Sequence, residues 1–531
     1  MSLPETPVEH EALTQPDFAR KTARLSMATL FSRLLGLVRE QLLALTLGAS
    51  EQAEAYLIAF RIPNLLRDLF AEGALSAAFI PTYSKADAAS PDRGFDLVRR
   101  LLTLLAIVLT FLCGLGILLA PLLVHGLASG FEAFEGKSEL ATRLTRVMMP
   151  ILPFISFAAV AMGMLNSRDR FTWPSLAPAV FNLVNIVMAV GLHAAGLSKN
   201  SVAYGWAFGA LLGSAAQFFI QWPSLRREGF TFRLDFNFKD PMLRDILATM
   251  APATIGLAAV QINIFISTNY ASSQASAVAW LSYAFRLLYL PMGLFGVAVG
   301  TVAGARLSRL VVSGTSEAVH AQIVQALRLL IFLTVPSAVG LIVAGRPIVR
   351  LIYEHGAFAS RDTAATASAL AWMAVGLVAY ASTKVLVPYF YAIRRPRVPL
   401  VASLLAVAAN LLTLGLLFDS MGFQAAGLGM ALGNLSNGAV LLGAYRGPQS
   451  LFKGVDSRFL LSVLAAASLM ALVVVGSIQF LSPDGSGLAA RLISALCPVV
   501  LGAAAYVGLS LAFKVPEASR VAAMATSRGQ R

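Results

Sequence analysis

The chain has 531 residues, of which 57% are hydrophobic and 13% charged, and a mean hydropathy of +0.73; this excludes an ordinary soluble enzyme and indicates a polytopic membrane protein. The formal charge of +14 and pI near 10.1 would suit a nucleic-acid binder, but the cations fall in alternate loops instead of one patch, the pattern of positive-inside topology. Cys113 and Cys497 lie far apart inside apolar runs, so both read as small core hydrophobes and neither a disulfide nor a metal site is expected.

Residues 1–22 form a polar tail with no apolar core, unlike a cleavable signal. Runs long enough to cross a bilayer as helices then recur to the end of the chain, about fourteen in all. The first, 25–47, carries Arg33, Arg39 and Glu40. Arg33 and Glu40 are seven apart on one helical face, and Gly36 between them invites a bend or a close helix approach. The second, 54–82, carries Glu54, Arg61, Asp68 and Glu72 at spacings that make one stripe, with Arg67 about a third of a turn away. Four further runs at 99–125, 143–165, 174–196 and 203–222 complete a first lobe.

A basic segment, 226–243, leads to runs at 245–270 and 276–305. In the latter Arg286 precedes Pro291, and Gly293, Gly296, Gly300 and Gly304 form a small-residue stripe suited to tight packing. Runs at 322–344, 365–391, 399–418 and 424–445 follow, the second of them holding Lys384. The last two runs are 459–481 and 489–513.

The halves resemble each other at an offset of roughly 225 positions. Ala59-Phe60-Arg61 recurs as Ala284-Phe285-Arg286, and Arg170, Pro174 and Asn185 recur as Arg395, Pro399 and Asn410. Six spans per repeat, an even number, make the repeat parallel. The expected fold is therefore all-α, with two pseudo-symmetric six-helix lobes around a central cavity and two appended C-terminal helices. The parts are the tail 1–22, an N-lobe 23–225, a cytoplasmic linker 226–243, a C-lobe 244–446, the last helices 447–514 and a tail 515–531. The basic loops put both termini in the cytoplasm; only the loop 345–363, with Arg346, Arg350 and Arg361, fits this poorly.

A charge at mid-membrane costs about 2.5 kcal/mol or more, so intramembrane charges normally face a wet cavity, a partner or a substrate. The expected substrate-binding cations are Arg33, Arg39, Arg61, Arg67, Arg286 and Lys384, and the expected cavity carboxylates are Glu40, Glu54, Asp68 and Glu72. Arg33 and Arg67 could instead snorkel to the headgroups, and Arg67 with Asp68 could be a structural pair. Cations exceed anions, and the planar guanidinium suits phosphate oxygens, so an anionic headgroup is the natural guest. His355 reads as an exposed loop residue, and Gly130 with Gly136-Lys137-Ser138 as a chance imitation of a phosphate loop, without the required spacing or strand.

Three stretches resemble the signature of the MurJ (MviN) lipid II flippases. They are Ser32-Arg33-Leu34-Leu35-Gly36-Leu37-Val38-Arg39-Glu40, Glu54 to Arg67, and Phe70 to Pro81; Trp280 to Leu287 and Pro291 to Ala298 resemble the eighth helix of the family. The resemblance implies a flippase of the multidrug/oligosaccharidyl-lipid/polysaccharide (MOP) superfamily that carries the lipid-linked peptidoglycan precursor to the periplasmic leaflet of the bacterial inner membrane. It also implies that Arg33, Arg39 and Arg286 are essential cavity arginines, that Arg67, Glu54 and Glu72 are sensitive positions, and that the last two helices hold the polyprenyl tail. Phe285 departs from an acidic residue common before the arginine, and Glu40 and Glu54 replace aspartates.

The resulting expectation is alternating access without a cofactor, with lipid II and membrane lipids as partners and cell-wall synthesis proteins as further candidates. Membrane potential, at about 2.3 kcal/mol per charge per 100 mV, or a monovalent cation would drive it. The seventh, eleventh and twelfth spans hold no acidic side chain in mid-membrane, where Asn263, Asn410, Asn434 and Asn437 are what they offer a cation. The rivals are an exporter of another polyprenyl-linked oligosaccharide and an intramembrane polyprenyl-diphosphate enzyme, for which no catalytic carboxylate cluster or His-Glu-x-x-His motif is present.

Overall fold

A computed structural model describes residues 15–68, 73–481 and 487–520. Among these residues the regular structure is helical throughout, with no strand. Helices close every backbone hydrogen bond within one segment, which a chain this apolar needs in hydrocarbon. Among the described residues ten helices are long and apolar enough to cross a membrane, or eleven if Ser360–Ala374 and Leu377–Ala392, bent by 46° at their break, form one span.

The expected count of about fourteen is not reached by this measure, which ten or eleven of the described helices meet. The remaining expected runs are helical where described, in Gln15–Leu47, Glu51–Arg67 with Gly73–Ala89, and Pro241–Ala271. The first two of these hold Arg33, Arg39, Glu40, Glu54, Arg61 and Arg67, side chains that lower hydropathy where a site would need polarity. Glu72 lies outside the described residues.

The chain divides into two compact units. The first comprises Met1–Leu42, Pro63–Ile117 and Arg146–Thr254. Its core joins Phe79, Tyr83, Phe95, Leu101, Leu152, Met164, Leu225 and Phe230. Phe230 brings the 226–243 segment into this core by an edge-on contact with Phe95. Arg99 then donates to the carbonyl and hydroxyl oxygens of Thr231, at 2.9 Å each, and Arg100 pairs with Asp235 at 2.8 Å and with Asp240. The segment is therefore fastened along the helix Pro91–Leu118.

The second unit comprises Leu43–Ile62, Leu118–Thr145 and Ile255–Arg531. Within it the hairpin Ser457–Leu481 and Leu488–Ala512 packs against Ser316–Val343. Exposed Phe480, Leu472 and Leu416 give this unit an apolar exterior of the kind that contacts lipid tails. The expected small-residue stripe packs against Leu377–Ala392: a Cβ on Gly300 would lie 2.7 Å from Lys384 Cβ, and one on Gly304 would lie 3.3 Å from Pro388. Gly293 has no such neighbour and falls outside the seam.

The two related helical hairpins share a detail behind the sequence repeat. Gly209 lies on Asn185 between Thr172–Ala194 and Lys199–Phe219, and Gly429 lies on Asn410 between Arg397–Met421 and Phe423–Ala444. Each asparagine is fully buried at a close helix crossing.

Candidate functional site

In the second unit the Glu54 carboxylate is held by four donors. It accepts from the Lys137 ammonium at 2.5 Å and from the backbone N–H groups of Ser276, Val278 and Ala279 at 3.0, 2.8 and 3.3 Å. Those N–H groups begin the helix Ala277–Pro291, where intrahelical acceptors are missing and the helix dipole favours an anion. Lys137 is caged by the faces of Phe131 and Phe134, at 4.1 and 4.3 Å. Both charged side chains are fully buried.

This arrangement corrects the assignment of Glu54 as a carboxylate facing an open cavity. Its position fastens the start of the helix that carries Arg286. It also gives Lys137 a role that the phosphate-loop likeness concealed. The signal was a single lysine among Glu132, Glu135 and Glu139.

In the same unit Arg61 donates to Thr268 Oγ1 at 2.7 Å, which in turn donates to the Ile264 carbonyl. Arg286 is exposed nearly two turns before the π-helical segment Met292–Val297, a local irregularity common at functional positions. The Phe285 ring lies 6.0 Å from that of Tyr289, tilted by 35°. Lys384 is half-buried, with its ammonium 5.2 Å from the centre of the Tyr380 ring. Asn410 donates to Asn263 Oδ1 at 2.6 Å and to Ser267 Oγ at 2.8 Å.

In the first unit Arg39 and Glu40 form an ion pair at 2.6 Å, and the Arg39 guanidinium lies 5.7 Å from the centre of the Phe181 ring. Glu40 is buried, whereas Arg33 is exposed on the same helix. At Gly36 a Cβ would lie 3.6 Å from the Asn182 amide, an ordinary contact, so the packing there does not require glycine. Arg67 pairs with Asp68 at 2.8 Å, the structural pairing that sequence alone left open. The structure thus places Arg33, Arg39, Arg67, Glu40 and Asp68 in the first unit and Arg61, Arg286, Lys384 and Glu54 in the second.

His355 departs from its expected exposed setting. It is half-buried; Arg491 donates to its Nδ1 at 2.9 Å, and its Nε2 lies 2.9 Å from the Leu351 carbonyl. A ring that donates through Nε2 and accepts through Nδ1 satisfies both contacts. Among the described residues no cluster of three or more His, Cys, Asp or Glu side chains could hold a metal ion.

This multi-pass helical chain, with arginines inside its long helices, has the fold found in solved membrane transporters. An inward-facing MATE transporter of the MOP superfamily is 18% identical, covers 84% of this chain and 98% of its own, and superposes with a TM-score of 0.61. A solved lipid II flippase MurJ in an inward closed conformation is 26% identical, with coverage of 92% and 98% and a TM-score of 0.75. The profile described as lipid II flippase MurJ matches residues 43–494. The lipid II flippase MurJ of Burkholderia cenocepacia is 36% identical over 70% of this chain and 73% of its own. The probable lipid II flippase MurJ of Bdellovibrio bacteriovorus is 28% identical over 97% and 99%. The chain belongs to the MurJ lipid II flippase family, and is a transporter, not an enzyme.

Proposed function

We propose that this protein moves lipid II, the polyprenyl-diphosphate-linked peptidoglycan precursor, from the cytoplasmic to the periplasmic leaflet of the bacterial inner membrane by alternating access. The family match running from residue 43 to residue 494 carries this reading. The residue chemistry supports it: Arg33 and Arg286 are exposed, and their planar guanidinium groups suit a diphosphate. Arg39 joins them as a headgroup-contacting cation, while Glu40 competes for its guanidinium and favours release.

Arg61, Arg67 and Lys384 act as auxiliary cations in this scheme, and Asp68 and Glu72 as counterions. The membrane potential favours outward movement of the anionic headgroup, at about 2.3 kcal/mol per charge per 100 mV. The donors that Asn410 directs at Asn263 and Ser267 weigh against a cation bound by those oxygens. Both termini face the cytoplasm on the distribution of basic loops, and cell-wall synthesis proteins are the proposed partners.

Expression in a bacterium depleted of its own lipid II flippase tests the function directly. Growth should be rescued, and the precursor should become accessible to a reagent confined to the periplasm. Arg39→Ala at equal protein level should abolish both effects. Intact export by that variant would remove Arg39 from the headgroup site, and failure of the unaltered protein to export would overturn the flippase reading.

A further inference from the structure

Between the helices Trp222–Arg227 and Pro241–Ala271 of the first unit, residues 228–240 form neither helix nor strand, and their polar groups face the protein. Thr231 accepts from Arg99, the Asp235 N–H donates to Thr103 Oγ1 at 3.1 Å, and the Asp235 and Asp240 carboxylates pair with Arg100. Glu228 accepts from Arg170 at 2.6 Å. All three acids of the segment are thereby drawn inward onto arginines.

Alternate residues are turned the other way. Phe232, Leu234 and Phe236 are 45, 60 and 62% exposed. Arg226, Arg227, Arg233 and Lys239 are exposed beside them, and none of the four pairs with an acid among the described residues. A segment in water buries its apolar side and leaves its polar side out, so this inverted arrangement marks a surface that something other than water covers.

We propose that this surface docks on the anionic phospholipids of the leaflet beside it, with Phe232, Leu234 and Phe236 entering the headgroup layer and the four cations meeting lipid phosphates. The chain keeps the stripe at the bilayer. The stretch Lys199–Arg227 is long and apolar enough to cross a membrane, and the next long helix begins at Pro241. Trp222, with its ring centre 5.9 Å from the Arg226 guanidinium, is of the residue type that settles at a membrane-water interface. A neutral lipid surface would accept the apolar side chains but leave the cations without counter-charge, whereas an anionic one satisfies both.

The test places the purified full chain in nanodiscs, one chain per disc. Leu234→Trp or, separately, Phe236→Trp adds a fluorophore whose emission is read as the difference from the unaltered protein. Half of the lipid is phosphatidylcholine brominated near the top of its acyl chains, and the other half is either unbrominated phosphatidylcholine or phosphatidylglycerol, so the quencher content is the same. Quenching of the added emission should be at least about two-fold stronger in the discs with phosphatidylglycerol. Replacing Arg226, Arg227, Arg233 and Lys239 together by Gln in the Leu234→Trp protein should erase that difference. Equal quenching in the two discs would overturn the proposal, as would a difference that survives loss of the four cations. An added tryptophan unquenched in both discs would also overturn it and leave the surface to a soluble partner or a second copy of the chain. The two tryptophan positions serve as independent probes should one variant fail to fold. Transport does not enter the readout, so the result is independent of the flippase assay.

Discussion

Lys137 Nζ lies 2.5 Å from Glu54 Oε2, and neither side chain is exposed. The pair lies at the start of the helix bearing Arg286, because the same carboxylate accepts from the backbone of Ser276, Val278 and Ala279. Removing either charge leaves the other buried without compensation, at about 3 kcal/mol or more. Lys137→Met should therefore lower the unfolding temperature sharply. Glu54→Gln combined with Lys137→Met should cost less than the sum of the single changes, since no lone charge remains. A double-mutant cycle on the purified protein checks this, and strict additivity would show that the pair has no coupling.

Arg286 has a different expected signature. Arg286→Ala should abolish rescue of a flippase-depleted strain with little loss of folded protein, because the side chain is exposed rather than part of the core. Arg286→Lys should restore only part of the export, since an ammonium keeps the charge but loses the planar fork. Full rescue by lysine would mean that charge alone is required.

The fastening of the 226–243 segment should depend on pH only in strong acid. Burial raises the Asp235 carboxyl, but the Asn237 N–H and the Arg100 and Arg99 guanidinium groups outweigh it and hold the group below the usual aspartate range. A depressed folded-state value means that the stabilisation is present above the unfolded value of about 3.9 and is lost as the pH falls through the folded one. Hydrogen exchange over 231–240 should stay slow from neutral pH to about pH 5. Asp235→Asn should speed it at neutral pH. Rapid exchange in the unaltered protein already at pH 6 would contradict this assignment.

The C-terminal segment should be a docked part of the second unit. Glu517 is buried and its two carboxylate oxygens accept from Nε and Nη2 of Arg328, at 2.6 and 3.3 Å, while that guanidinium lies 4.2 Å from the centre of the Phe459 ring. Glu517→Ala removes charge-assisted hydrogen bonds worth about 1.5–3 kcal/mol. Faster hydrogen exchange at 515–520 is expected, and an unchanged rate would show that the ion pair does not hold the segment.

Most of the helices were legible because the signal is coarse: a run of apolar residues long enough for hydrocarbon has few alternatives to a helix. The seam at Gly300 and Gly304 was legible for a similar reason, since small residues one turn apart permit close approach. The partners of the charges were less accessible. Spacing put Glu54, Arg61 and Asp68 on one stripe, yet Glu54 meets Lys137, Arg61 meets Thr268 and Asp68 meets Arg67. Periodicity specifies a face of one helix but not what another segment presents to it.

By itself the sequence determined an all-helical membrane transporter with arginines where lipid alone would not tolerate them, because hydrophobic length and the cost of a buried charge are local properties. Only the tertiary structure decided which charges are structural and which remain accessible. It enclosed Glu54 and Lys137, set Arg286 on a surface and docked Glu517 on Arg328. Those outcomes depend on contacts between segments separated by tens to hundreds of residues in the chain, and such contacts leave little trace in the spacing along either segment.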